Sequence, residues 1–408
     1  MTGGQQWAEW TARLDHDRWA ESTGDQAAFE GGPPRRLSAL AFLPAPICPN
    51  GGSRVILVFM LGWVPLALLV AFAPDGPRAL VTNSFARDFG VHARLGVAVP
   101  LLVLAFSVCA KRLGVVALHF LRSGLLEEAD KVRFLTQLAA TRRLINSLWV
   151  EAATIFFTYA LVISTLLNEG ALFVQSAWQR SADGAGLSPA GWWNALVGTP
   201  LLIVLLIGWM WRIFLWTRFL RIVARMDLQL IAAHPDQSAG LGFLTQSVRA
   251  FSVVGMAFGA ISAGRFAMVH AAGATNQFTD GLLIGGTALF VTLLFVGPLT
   301  PFSIPLMKSW RNGAMAYGAL ASELGQQFER RWFAQSRTSD PGILGEPDFS
   351  AATDLYQVVG NVYAMRFIPV DLRSIMILLG MTLVPFIPAM FLSMPTEVVI
   401  AELKGLLF

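Results

Sequence analysis

The chain has 408 residues, of which 55% are hydrophobic and only 14% charged, and its formal net charge is +4. About 25% of the residues in soluble globular proteins are charged, so this composition excludes an ordinary soluble protein and predicts an all-α polytopic membrane protein. Two cysteines and five scattered histidines match neither a disulfide framework nor a spaced metal motif. We therefore predict no metal, no cofactor and no nucleic-acid partner.

The first 53 residues are polar and contain several prolines before the first apolar run begins. They lack the pattern of a signal peptide, and we predict a cytoplasmic N-terminal segment over residues 1–53. Trp7, Trp10 and Trp19 lie at helical spacing. This spacing fits either an interfacial anchor or a plug against the cytoplasmic loops.

Seven apolar runs approach the roughly 20 residues that a helix needs to cross hydrocarbon. They are Val55–Ala73, Leu95–Ala110, Trp149–Leu167, Leu196–Leu215, Phe251–Ala272, Leu282–Met307 and Ile375–Ser393. They predict a membrane domain over residues 54–393, followed by a short outside tail over residues 394–408. The second run is too short unless it includes His92 and Arg94 at one end or Lys111 at the other.

The distribution of Lys and Arg predicts the orientation, because loops rich in these residues stay in the cytoplasm. Nineteen lie in the loops 111–148, 212–249 and 308–373, against five on the opposite side. The N-terminus is therefore predicted in the cytoplasm and the C-terminus outside. Helical periodicity in these loops also predicts a cytoplasmic layer of helical extensions over residues 111–148, 216–249 and 308–373.

The most unusual polar cluster comes after the fourth span, where His234-Pro235-Asp236 precedes Gly240 and Gly242. Proline ends the preceding helix, Asp236 can cap the next one, and the glycines permit a tight re-entry. The pattern favours a rigid corner between helices. A gating or sensing role for this segment and catalysis by His234 with Asp236 are the alternatives.

Ionisable residues also fall within predicted spans or at their ends. Such residues are functional candidates by default, so Arg265, His270 and Glu151 are further gating or sensing candidates. Anchoring at the membrane surface is the alternative for Arg265, and an ion pair with a basic loop residue is the alternative for Glu151. Trp209, Trp211 and Trp216, at the end of the fourth span, predict an aromatic belt at the interface.

The seventh span combines hydroxyl side chains with prolines. Prolines are tolerated in a span where neighbouring groups satisfy the freed carbonyls, and they mark places where a permeation path can form. The pore-lining candidates are Ser374, Thr382, Pro385, Pro388 and Ser393. A purely structural kink is the alternative.

Two stretches resemble a family of uncharacterised bacterial polytopic membrane proteins. The segment from His234 to Leu244 is similar to that family's HPD…GGLGFL segment, with Ala239 in place of the first glycine, and Pro385 to Pro388 resembles its proline-kinked last span. The resemblance implies a bacterial inner membrane. In topology alone, seven spans with cytoplasmic extensions look like the insect chemoreceptor type of ion channel, which implies a tetramer whose last helix lines the pore.

These observations lead to an oligomeric, non-enzymatic ion channel as the first hypothesis, with protomers held together through the cytoplasmic helices in a lipid bilayer. A secondary transporter with a midplane site at broken helices is the second. A membrane enzyme or regulatory scaffold that uses the His234-Pro235-Asp236 corner is the third. The sequence contains no phosphate-binding loop, dinucleotide motif or nucleophile elbow.

Overall fold

The computed structural model describes residues 51–72, 84–167, 176–181, 186–273, 277–333 and 347–393. Within these ranges the chain is helical and forms no β-strand. Seven helical stretches of the described chain are long and apolar enough to cross a membrane, the same number as the apolar runs of the sequence. The predicted helix around Trp7 to Trp19, most of the N-terminal segment 1–53 and the tail 394–408 lie outside the described residues.

Eight helical units succeed one another along the described chain, and all except α7 are candidate spans. They are α1 Gly52–Ala71, α2 Phe89–Arg122, α3 Glu128–Leu167, α4 Pro189–Val223, α5 Gly242–Ala271, α6 Gln277–Trp332, α7 Pro347–Tyr363 and α8 Leu372–Phe391. Unit α3 joins an amphipathic helix, Glu128–Ile145, to an apolar helix, Leu148–Leu167. Unit α6 passes through a 3₁₀ segment, Gly297–Phe302.

Units α2 and α4 share an unusual local structure, a π-helical segment that ends just before a proline. The pairs are His92–Ala98 before Pro100 and Asn194–Gly198 before Pro200. Proline has no N–H and cannot donate the usual bond to the residue four positions back, so the helix accommodates an extra residue. In α2 the amide of Val99 donates five residues back, to the carbonyl of Arg94. The helix therefore continues through the polar residues that interrupt the second apolar run.

Unit α5 lies at the centre of the bundle and packs against α2, α6 and α8. Two of these contacts require glycine. A Cβ atom at Gly259 would lie 1.8 Å from the backbone oxygen of Thr382 in α8, and a Cβ atom at Gly264 would lie 2.5 Å from the Cβ of Ala93 in α2. No side chain fits at such separations, so α5 meets both neighbours almost backbone to backbone.

The tryptophans of α4 contribute to the protein core. Trp209 and Trp216 are each 1% exposed, and the indole Nε1–H of Trp209 donates to the carbonyl of Leu102 in α2 at 3.1 Å. The predicted aromatic belt is therefore wrong for these two residues. Their indole rings are buried between helices, whereas tryptophans of a membrane interface have rings that contact lipid headgroups.

The last 30 residues of α6, Ser303–Trp332, pair with α7 in an antiparallel helical hairpin. Glycines of α6 accommodate tyrosines of α7: a Cβ atom at Gly318 or Gly325 would lie 3.1 Å from the hydroxyl of Tyr363 or Tyr356, respectively. The hairpin also exposes apolar side chains to solvent. They include Met307, Met315, Leu320 and the rings of Tyr356 and Tyr363.

Candidate functional site

The segment between α4 and α5, residues 227–244, forms a compact turn that we call the Asp236 corner. The carboxylate of Asp236 accepts hydrogen bonds from three backbone N–H groups: Ser238 at 2.8 Å and Gly240 at 3.1 Å bind Oδ1, and Gly242 at 2.8 Å binds Oδ2. Nδ1 of His234 lies 2.8 Å from the same Oδ1. The backbone N–H of Asp236 also lies 3.3 Å from this Nδ1, so the carboxylate and the amide of Asp236 both hold the imidazole ring against the turn.

The backbone of the Asp236 corner alternates in handedness. Gln237, Ala239 and Gly240 have φ values of 55°, 54° and 94°, and such alternation turns successive N–H groups toward one point, which is a favourable site for an anion. The Asp236 carboxylate occupies that point. Burial raises the pKa of Asp236, but hydrogen bonds from the backbone and from His234 outweigh burial, and the net pKa lies below its ordinary value.

This arrangement favours the structural interpretation of the corner. Three backbone N–H groups and His234 tie the carboxylate of Asp236 to its own turn, as expected of a carboxylate that stabilises a helix-to-helix corner. Ala239 adopts a positive φ of 54°, a conformation that glycine takes without steric cost.

The Asp236 corner touches several parts of the chain. A Cβ atom at Gly313 of the hairpin would lie 2.4 Å from the Cβ of Ala232. The backbone N–H of Arg366 donates to the carbonyl of Gln237 at 2.7 Å, and its Nη2 donates to Oε1 of the same glutamine at 3.1 Å. The corner therefore joins the hairpin to the turn that leads into α8.

A second polar cluster fastens the start of α8 to α5. The Arg249 guanidinium donates from Nη2 to Oδ2 of Asp371 at 2.8 Å and from Nε to Oγ of Ser374 at 2.5 Å. The hydroxyl of Thr245 donates to Oδ1 of Asp371. Sequence reasoning identified Ser374 alone in this cluster, because Arg249 and Asp371 are 122 residues apart.

The pore-lining candidates lie at different positions around α8. Ser374 and Thr382 are fully buried against α5, and the hydroxyl of Thr382 donates to the carbonyl of Leu378 at 2.7 Å. Pro385 is half-buried in the break between the helices Leu372–Leu383 and Phe386–Ser393, and Pro388 is exposed. The side chain of Ser393 lies outside the described residues.

The opposite end of the molecule, where α2 begins and α5 ends, carries Asp88, Arg265 and His270, and we call it the Asp88 end. Nδ1 of His270 donates to the carbonyl of Phe266 at 3.1 Å, and its Nε2 lies 3.3 Å from Oδ2 of Asp280 in α6. The imidazole ring is buried. His270 thus joins α5 to α6 through a polar contact.

Asp88 is the buried carboxylate of this end, 4% exposed, and no sequence pattern pointed to it. Its Oδ2 accepts from the hydroxyl of Ser176 at 2.8 Å and from the indole of Trp178 at 3.0 Å, and its Oδ1 accepts from the amide of Val91 at 3.0 Å. These partners lie up to 90 residues away. Three uncharged donors, a hydroxyl, an indole and a backbone amide, therefore hold the carboxylate in place.

Two arginines belong to the same end of the molecule. Arg94 of α2 is half-buried, donates from Nε to the carbonyl of Gly90 at 3.0 Å, and is within the influence of the charges of both Asp88 and Arg265. Arg265 of α5 is exposed. At the other end, Glu151 is 8% exposed and opens the apolar helix of α3. Arg265, His270 and the Asp236 corner are thus spread over both ends of the molecule and form no common site.

Among the described residues, no group of three or more His, Cys, Asp or Glu side chains lies close enough to hold a metal ion. Comparisons of the chain with models of protein families, with curated proteins and with solved structures found no match.

Proposed function

We propose that this protein is an oligomeric ion channel of a bacterial inner membrane, in which copies of α8 line a central path. In this proposal the Asp236 corner faces the cytoplasm, and a tetramer is the expected assembly. The observation that carries the proposal is the division of α8 into two unlike faces. One face is fastened to α5, and the other is apolar and exposed.

The exposed residues of α8 recur at three- and four-residue steps. Met376 and Gly380 belong to its first helix, Val384 to the break and Ile387 to its second helix. An apolar constriction built from such residues can gate an ion path by dewetting. We therefore assign the path to these residues, while Ser374 and Thr382 hold the helix from behind.

The helical hairpin supplies a surface for assembly. Unit α6 has 56 residues, or about 84 Å at 1.5 Å per residue, whereas a bilayer with its headgroups is about 40–45 Å thick. About half of α6 then projects beyond the membrane. Apolar side chains there, such as Met315 at 71% exposure and Leu320 at 50%, are covered from water only when another protein surface packs on them.

The contacts of the Asp236 corner connect this surface to the path. The hairpin touches the corner at Gly313, the corner binds Arg366, and the next contact along the chain is the pair of Asp371 with Arg249. Packed elements of this kind transmit displacements because they shift between discrete arrangements. A movement of the hairpin between protomers would therefore reach the start of α8.

Disulfide cross-linking tests the position of α8 without knowledge of the stimulus. We would introduce Gly380→Cys after replacing Cys48 and Cys109 by alanine, with Gly285→Cys of α6 as the matched control. Both glycines are exposed, and a Cβ atom at either has no neighbour within 4 Å, so neither change disturbs the protomer. We expect oxidation to cross-link protomers through Gly380→Cys and not through Gly285→Cys; equal cross-linking of the two variants contradicts the proposal.

Ion flux tests the activity itself. Protein in liposomes should carry K⁺ or Cl⁻ above the rate of empty liposomes, and Gly380→Trp should lower that flux at least about tenfold, because a bulky ring would fill a narrow path. Gly285→Trp should leave the flux unchanged. Native mass spectrometry of the same samples should show one closed oligomer, and a clean monomer would leave no shared path.

A secondary transporter is the second candidate, and the broken helices favour it. Unit α6 is interrupted at Gly297–Phe302 and α8 between Leu383 and Phe386, and transporters place substrate sites at such breaks. A flux that saturates with one solute and that a monomer carries would support this candidate over the channel.

A further inference from the structure

We propose that Arg94 of α2 and Arg265 of α5 form a binding site for a phosphate group at the Asp88 end, supplied either by a lipid headgroup or by a free anion. The site goes beyond the channel proposal and does not depend on it. It is inferred from where the two helices touch, from the charge balance around the contact, and from the depth of the arginines along their helices.

The glycine contact between α2 and α5 brings the arginines together. A Cβ atom at Gly264 would lie 2.5 Å from the Cβ of Ala93, and each arginine is the next residue in its helix. The Nε of Arg94 is fixed by the carbonyl of Gly90 at 3.0 Å. That bond orients the guanidinium. Its two terminal nitrogens have no hydrogen-bond acceptor among the described residues.

Among the described residues, the charges that act on Arg94 do not balance. Two guanidinium groups act on each other here, and Asp88 supplies the negative charge that acts on Arg94. The oxygens of Asp88 are held by Ser176, Trp178 and Val91, and no ion pair joins Asp88 to either arginine in the described part of the chain. One further negative charge would neutralise the set of Arg94, Arg265 and Asp88, and a phosphodiester carries one negative charge.

The arginines lie just below the headgroup level of a bilayer, within reach of it. Arg265 lies six residues before the end of α5, and Arg94 lies five residues after the start of α2, or roughly 9 Å and 8 Å along the helix axes. The polar zone on each side of a bilayer is about 5–8 Å thick, and arginine side chains extend toward it. The planar guanidinium binds two phosphate oxygens at once, which favours phosphate over a monoatomic anion.

The test measures lipid binding by native mass spectrometry of the full-length protein in mild detergent. Phosphatidylglycerol is compared with phosphatidylcholine, for the wild type, Arg265→Gln, Arg94→Gln and the matched control Arg373→Gln. Arg373 is exposed at the start of α8, at the opposite end of the molecule. Arg265 has no partner among the described residues, so Arg265→Gln keeps the test valid even if Arg94→Gln fails to fold.

A lipid site predicts that Arg265→Gln and Arg94→Gln each weaken phosphatidylglycerol binding at least about fivefold, about 1 kcal/mol, while Arg373→Gln binds like the wild type. Arg265→Lys should retain part of the affinity. A free-anion site predicts instead that millimolar inorganic phosphate raises the melting temperature of the wild type and not of Arg265→Gln. Equal phosphatidylglycerol binding by all variants, together with no effect of phosphate, would overturn the proposal.

Discussion

Helix α5 meets α8 and α2 in different ways, although glycines make both contacts. Against α8, Arg249 of α5 is bound by Asp371 and by Ser374. Against α2, Arg265 of α5 lies next to a second arginine, Arg94. In the first interface the positive charge of Arg249 is paired with the negative charge of Asp371, and this pair fastens α8 to α5. Among the described residues, the second interface has one positive charge in excess, which the proposed phosphate group would neutralise.

The contact of α5 with α8 should be the most sensitive to added volume. We expect Gly259→Ala to destabilise the protein by about 3 kcal/mol or more, because the new methyl group would overlap the backbone oxygen of Thr382, which cannot move aside as a side chain can. Gly285→Ala is the control; it has open space and should be neutral or slightly stabilising. Thermal unfolding in detergent measures both, and equal melting temperatures would refute a tight α5–α8 contact.

Removing the charge of the fastening should have the next largest effect. Asp371→Asn replaces charge-assisted hydrogen bonds to Arg249 and Thr245 by weaker ones, and we expect a loss of about 2 kcal/mol. Arg373→Gln, two residues away and exposed, should change stability by less than about 0.5 kcal/mol. A loss of the same size in both variants would show that the pair contributes nothing specific.

The same fastening should weaken in acid. Burial raises the pKa of Asp371, but hydrogen bonds from Ser374, Thr245 and Arg249 and the charge of Arg249 outweigh it and hold the pKa at about 2, against about 3.9 in an unfolded chain. A lowered pKa stabilises the folded state above the unfolded value, and this contribution is lost as pH falls from about 4 to about 2. Stability measured against pH should fall less steeply in Asp371→Asn than in the wild type across this window; parallel curves would contradict the assignment.

The smallest effect is expected where α5 meets α2. In lipid-free detergent without phosphate, Arg265→Gln should change the free energy of unfolding by less than about 0.5 kcal/mol, since this side chain is exposed and unpaired among the described residues. Arg249→Gln should cost several times more. A large loss in Arg265→Gln would mean that the chain itself satisfies this arginine.

Local patterns in the sequence were sufficient for the spans and for part of the Asp236 corner. Spans are dictated by the hydrophobic length that a bilayer requires, and the hydrogen bonds of the Asp236 carboxylate reach at most six residues, to Gly242. Proline, a short acceptor and glycines dictate this part of the turn, whereas the bonds of the corner to Leu125 and Arg366 could not be predicted from local patterns.

Contacts over long separations could not be predicted in this way. His92 interrupts the second apolar run, yet its ring lies inside the fold, where Nδ1 accepts from the indole of Trp63 at 3.0 Å and Nε2 donates to the carbonyl of Phe85 at 3.0 Å. Trp209 likewise has a distant backbone partner. Composition and spacing do not reveal which polar atoms meet, so the structure alone locates Asp88 and the pair of Arg249 with Asp371.

The π-helical segment of α2 has a consequence for the rotational phase of the helix. Its wide turn holds one residue more than an α-turn, and each residue of an α-helix turns the chain by about 100° about its axis. The direction in which Arg94 points is therefore set by Pro100, six residues further along. Replacing this proline by alanine would restore a donor for an ordinary turn and would rotate the start of α2, and with it one of the two arginines, relative to α5.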